Sequence, residues 1–223
     1  MKTGIKLTIF AAVLCVGATA ALIGYWFVHE SQQPGKYGRN LEFRLLALNA
    51  DNESQISGES TTRSGDAFSG ADAQKWIASG DAPTGWKWLP VIDSLQATTM
   101  AGLGAGEISR SNDGSEFLLA GDSNEIALTH RAGAPSWGIK SAEAHSSESG
   151  PAVAIILDNA GGDLMYQLTQ KHIGRSMAVV VDGKICMVAK IMTPIRGAIE
   201  VTLPQGQLRE AEELRNVLLS GRN

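Results

Sequence analysis

The sequence predicts an α+β protein: an N-terminal transmembrane helix, then an extracytoplasmic domain of mainly antiparallel sheet with helices on one face. Three observations carry this. A charge-free apolar run opens the chain. Strand-like and helix-like patterns then follow in the order β-α-β-β-β-α over its last third. Two of those strands meet at Asp182-Gly183, a two-residue hairpin signal.

Residues 1–6 carry Lys2 and Lys6 and are expected to lie in the cytoplasm. Leu7 to Val28 contains no charge, and its 22 residues make roughly 33 Å of helix against a hydrocarbon core of about 30 Å. The lysines and the amino terminus on one side set a cytoplasmic N-terminus, and Tyr25 and Trp26 fit an interfacial aromatic belt. Ala18-Thr19-Ala20 also has the small-x-small pattern of a cleavage site, so secretion after cleavage near Ala20 is the alternative. The run continues to Val28, past the usual apolar region of about 7–15 residues, which favours a retained single-pass anchor in the plasma (inner) membrane. Leu14 before Cys15 argues against a lipoprotein, and Ile9 stands where a pilin leader would place a glutamate.

A polar Pro/Gly-containing linker covers residues 29–40. Residues 41–136 are expected to form base-like strands with long polar loops. In "LEFRLLALN", Leu41, Phe43 and Leu45 alternate with Glu42 and Arg44, a strand with one buried face. The stretch from Ala50 to Gly70 is Ser/Asn/Asp/Gly-rich and reads as a flexible excursion. Trp86 and Trp88, at period two in "GWKWLPV", read as packing against the sheet. "TMAGLGAGEISRSNDGS" reads as loop, and "EFLLAG" and "IALTHRA" as a pair of strands around Asp122-Ser123-Asn124.

From Trp137 to Gly221 the patterns tighten. "PAVAIILD" is a strand. Asp158 or Asn159 then caps a helix through about His172, with Leu164, Met165 and Leu168 on one face and Gly174 as its stop. "MAVVVD" and "KICMVAKI" flank the Asp-Gly turn. A phosphate cradle is excluded there, because its Gly-rich loop must open a helix and here a second strand follows. "AIEVTL" is a strand with Ile199, Val201 and Leu203 inward. The final helix carries a stripe of Leu208, Ala211, Leu214, Val217 and Leu218 and ends at Gly221, with Glu210, Glu212, Glu213, Arg209 and Arg215 on a solvated face.

Composition excludes a nucleic-acid partner. The net charge is −4, two of the 19 basic and none of the 23 acidic residues precede Val28, and the remainder is therefore −6. Cys15 and Cys186 form no CxxC and no Cys/His cluster, so no metal, redox motif or cofactor is expected. No G-x-S-x-G, H-E-x-x-H, P-loop or EF-hand pattern occurs. His130 is read in a strand, His145 in a Ser-rich loop and His172 near a helix end; His145 and Ser146, being adjacent, do not make a hydrolase pair. Asp122 and Asp182 occupy turns. An enzyme is not expected.

Ala160-Gly161, Leu168-Thr169, Gly174, "MAVVVDG" with Ala178 and Asp182-Gly183, Ile199, and Glu210-Ala211 stand in the order, and nearly the spacing, of a known module. The chain resembles the first periplasmic (P1) domain of the SecD/SecDF protein-export family, chiefly its head subdomain over 137–221. "SWGIKSAEA" resembles the segment opening that head, and "LEFRLLA" the first strand of the family's base. The departures are Val188-Ala189 in place of Ala-Pro, and Val201 and Leu203 in place of a glycine and a phenylalanine. The structural motif residues are thus Leu168, Thr169, Gly174, Ala178, Asp182 and Gly183. No substrate-binding residue can be carried over. The expected anchor holds no ionisable residue, so no proton-motor part is expected. The resemblance implies a membrane-anchored binding domain, accessory to export, whose partners are the Sec translocon or exported polypeptide. The alternative is an envelope scaffold or a pilin-like assembly subunit. Partner, oligomeric state, cleavage of the first helix, order in the loops 50–115 and the survival of an export role without the membrane motor are not set by the sequence.

Overall fold

A computed structural model describes residues 41–49, 67–92, 107–203 and 208–220. The expected anchor (7–28), the linker (29–40), Cys15, the excursion over 50–66 and Gly221 lie outside the described residues. Among those described, no helix is long and apolar enough to cross a membrane.

Each element has a local cause. β1 (Leu41–Leu45) and the short β2 (Leu48–Asn49) open the fold; β2 pairs in parallel with β3 (Ala67–Phe68). α1 (Gly70–Ser79) lies in a stretch for which the sequence suggests no element. Ser69 caps it by accepting from Asp72 N, and Gly80 ends it at φ +75° with its N–H donating to Trp76 O. β4 (Trp86–Pro90), β5 (Ser109–Asn112) and β6 (Ser115–Gly121) form a sheet in the order β4-β6-β5. β5 and β6 are joined by Asp113-Gly114 at φ +50° and +78°, a two-residue hairpin where the sequence suggests a loop. β7 (Ala127–Leu128) does not pair with β6, contrary to the expected strand pair. It joins β1 instead, because the chain turns away after Gly121 and Ile126 O accepts from Leu45 N.

β8 (Ile139–Ser147) and β9 (Gly150–Leu157) form an antiparallel pair with an extra residue near Lys140. α2 (Asn159–Lys171) follows, capped by Asp158, whose carboxylate accepts from Gly161 N at 2.7 Å. β10 (Ser176–Val181) and β11 (Lys184–Lys190) turn at Asp182-Gly183, with φ of +48° and +77°. β12 (Ala198–Thr202) and α3 (Leu208–Leu219) complete the β-α-β-β-β-α order.

Those strands do not share one sheet, however. β9 and β12 lie in the sheet β12-β9-β8, while the β10–β11 hairpin joins β11-β10-β1-β7. Burial explains the split. All six residues of β10 are buried, a pattern that requires cover on both faces. Met177, Val179 and Val181 join a core with Leu41, Phe43, Val153, Ile155, Met165 and Leu218. Ala178 and Val180 join a second core with Leu89, Leu118 and Ala120 of the β4-β6-β5 sheet. α3 packs along β8 and β9, and α2 against β9 and β7, so both helices cover the same inner face of β12-β9-β8.

Four further expectations are corrected. Arg44 does not face solvent; the second layer leaves it 1% exposed. Leu208 is exposed and leaves the apolar stripe to Ala211, Leu214, Val217 and Leu218. His145 lies in β8, where its Nε2 sits 3.2 Å from Glu200 Oε2 on the outer face of the sheet. His130 lies just beyond β7 rather than in a strand, and its ring stacks on Trp137 at 4.2 Å. Trp86 is buried against Phe68, in keeping with a packing role.

Candidate functional site

The six motif residues do not converge on a reaction centre. They build a frame. Leu168 is in the core beneath α2, and Ala178 is in the second core. Asp182 and Gly183 form the exposed turn that Asp-Gly permits. Gly174, at φ +85°, turns the chain out of α2 and donates to Ile191 O at 2.7 Å. Thr169 is fully buried: its Oγ1 donates to Met165 O at 2.7 Å and accepts from Ile195 N at 2.8 Å.

That second bond pins a strap, residues 191–197, along α2. The strap starts where Ile191 N donates to Arg175 O, and its far end brings Gly197 against Gly162. Arg196 pairs with Asp163 and lies over the Tyr166 ring at 5.8 Å. Gly161 is needed for a different reason. A Cβ there would lie 3.2 Å from Leu157 Cβ and 3.3 Å from the Trp137 ring, which is tight packing against immobile groups.

Several large apolar side chains are exposed on this frame. Four large apolar side chains are exposed among the described residues, and three of them border α2 and its strap: Tyr166 at 36%, Ile173 at 54% and Met192 at 57%. Ile173 and Met192 each adjoin the hydrogen bond from Gly174 N to Ile191 O. Singly exposed apolar residues need no explanation; three along one helix and the strap pinned to it do. The sequence gives no hint of them, since Met192 lies in no periodic segment and Ile173 follows the helix end.

Two clefts flank α2. One, of about 80 Å³, lies between β7 and α2 and is lined by Glu125, Thr129, Leu164, Gln167 and Lys171 among others. The Glu125 carboxyl is held below its ordinary value, chiefly by the Ser123 hydroxyl and its own amide, with smaller help from Arg131 and Lys171. The second, about 430 Å³ and shallow, lies at the start of α2 between Lys140, Asp158, Asp163 and Arg196. Among the described residues no three His, Cys, Asp or Glu side chains gather as a metal site.

A separate charged cluster ties the two layers together. Arg44 bonds Glu42 Oε2 at 2.8 Å, Asp122 Oδ1 at 2.7 Å and Gly121 O at 2.5 Å. Lys87 and Arg131 reach the same Asp122 carboxylate at 3.7 and 3.6 Å. Asp122 is therefore more than a turn residue. With Glu42 it supplies the negative charge that lets an arginine be buried.

Residues 115–222 match the family model of the SecDF P1 head subdomain, so the matched segment opens at β6. Over 84 residues the chain is 30% identical to the protein translocase subunit SecD of Acidaminococcus fermentans. That stretch is 37% of this chain and 20% of that protein, so the chain spans about a fifth of the curated relative it matches. Among solved structures it is similar to SecDF described as a membrane component that enhances protein export, at 17% identity and a TM-score of 0.41, over 81% of this chain and 63% of that one. It is also similar to SecDF of Thermus thermophilus, a translocon-associated membrane protein, at 14% identity and a TM-score of 0.35, over 83% of this chain and 29% of that one.

Proposed function

We propose that the chain, which carries a segment matching the SecDF P1 head subdomain over residues 115–222, takes part in protein export and works there by holding polypeptide rather than by catalysis. The match to the head subdomain is the observation that carries the reading. The exposed apolar side chains Tyr166, Ile173 and Met192 support it, because an unfolded chain in transit offers apolar segments with nothing else to bury them. In this reading residues 7–28 anchor the chain in the plasma membrane, the domain lies outside the cytoplasm, and its neighbours are the Sec translocon and the chains leaving it. No cofactor takes part.

Photo-crosslinking in intact cells tests this, with probes at the exposed positions Gln170, on α2, and Lys184, at the hairpin turn. Adducts with translocon subunits or nascent exported chains are expected, and more from Gln170, which lies on the helix that carries Tyr166. Adducts confined to copies of the same chain or to envelope structural proteins would replace the export reading with that of a scaffold.

A further inference from the structure

β12 is an edge of the sheet β12-β9-β8. Leu157 N donates to Gly197 O at 2.7 Å and Leu203 N to Pro151 O at 2.8 Å, which fixes the backbone groups that face β9. They belong to the odd-numbered residues, in agreement with the pairing of Ile199 with Ile155 and of Val201 with Val153. The amides and carbonyls of Ala198, Glu200 and Thr202 therefore point outward, and among the described residues no strand pairs with them.

Four other edges among the described residues are blunted. On β8, Arg215 Nε donates to Ala142 O, and a bulge at Lys140 breaks the ladder. On β11, Ile92 N bonds Ile185 O, and a register shift at Cys186 bends the strand. β7 has two residues, and β4 ends in Pro90. β12 carries none of these devices: "AIEVT" has no proline, lysine or bulge, and Ile, Val and Thr favour an extended backbone. Its register with β9 is regular from end to end.

We propose that the outer edge of β12 accepts an extended segment of exported polypeptide as a fourth strand of this sheet. The identity of the occupant rests on the export reading; the edge itself does not. Pairing through the backbone is indifferent to most side chains, which suits a protein that meets many different exported chains. A second copy of this chain is the poorer occupant. The longest antiparallel self-pairing would set Glu200 directly opposite Glu200 of the second copy, and like charges so placed repel. A foreign strand with lysine or arginine at that position gains where a second copy loses. The strap runs directly into β12, so the exposed Met192 and the open edge belong to one continuous stretch of chain.

The test uses a fluorescent twelve-residue peptide of alternating valine and threonine with a central lysine, and its fully N-methylated twin. The twin keeps the side chains but donates no backbone hydrogen bond. The purified chain should bind the plain peptide at least about tenfold more tightly than the twin, the loss expected when two or so net hydrogen bonds go. Glu200→Pro removes one outward amide and leaves the ladder to β9 intact, because proline is tolerated on the solvent side of an edge strand. It should weaken the peptide about fivefold, the loss expected for one net hydrogen bond, while Glu200→Gln, which keeps the amide, should stay within about twofold. Equal binding by wild type and E200P, with no discrimination against the methylated twin, overturns the edge while leaving the export reading in place. A wild-type chain that binds neither this peptide nor a reduced, carboxymethylated unfolded protein removes the export reading as well. A dimer that E200P converts to monomer would make a second copy the occupant and overturn the proposal.

Discussion

Cys186 shows how one residue can register its place in the layers. It is the extra residue in β11: Val179 pairs with Met187 and Val180 with Ile185, so Cys186 has no partner across the ladder. The bulge reverses the alternation, sending Ile185 and Val188 into the second core and Cys186 into the first. There its Sγ contacts Val179 O at 3.3 Å, and burial pushes the thiol up to about 12 from an ordinary 9.0. The unfolded thiol loses its proton above about 9 while the folded one keeps it, so the unfolded state binds fewer protons and stability falls as pH rises. The contribution is full below pH 9 and declines by about 1.4 kcal/mol per unit between roughly 9 and 12. Urea titrations at pH 8, 9 and 10 should show this slope in the wild type and lose it in Cys186→Ala, whatever that variant costs at pH 8. Equal slopes in the two would mean that the thiol meets water. Arg44 teaches the complementary lesson. Its place in an alternating strand marks it as a solvent-facing charge, and only the second layer, invisible in a local pattern, buries it against Asp122.

The elements are joined by few but specific contacts, and Thr169 is the one that holds the strap to α2. Thr169→Val keeps shape and branching but leaves the buried Ile195 amide without its acceptor, a loss of about 1–3 kcal/mol. Hydrogen exchange should localise the damage: the Ile195 amide should lose protection far more than the β10 amides do. Uniform loss across both would show that the strap and the sheet open together. The legibility of elements followed the same physics. The β10–β11 hairpin is readable because apolar runs flank Asp182-Gly183. Asp113-Gly114 has the same turn geometry, yet polar Ser109, Arg110, Ser111 and Asn112 beside it carry no strand signal of their own. β8 hides because the bulge at Lys140 breaks its alternation. α1 sits among Ser, Asp and Gly residues whose caps, Ser69 and Gly80, read equally well as loop. The exposed apolar side chains were not readable at all, since Tyr166 sits on α2 and Ile173 and Met192 lie in segments with no periodic pattern.

At the scale of the whole molecule, the matched head segment and the fold are not the same object. β1, from residues 41–45, is an interior strand: it separates β10 from β7, and Leu41, Phe43 and Leu45 are fully buried in the core shared with α2 and α3. The second core likewise needs Leu89 and Val91 from the β4 region to cover Ala178 and Val180. Residues 115–222 alone would keep the α2 and α3 layer but expose β10 on one edge and on part of both faces. A six-residue run of buried side chains with an open edge is the usual starting point for aggregation. The fragment 115–222 should therefore bind a hydrophobic dye and unfold without a sharp transition, whereas 41–222 should unfold cooperatively. Adding a synthetic peptide of residues 41–49 to the shorter fragment should restore part of the transition, since the missing strand is short and its register is fixed by five pairs from Leu41–Val181 to Leu45–Met177. A sharp transition in 115–222 by itself would show that the head carries its own core, and that β1 is an addition to the module instead of its central strand.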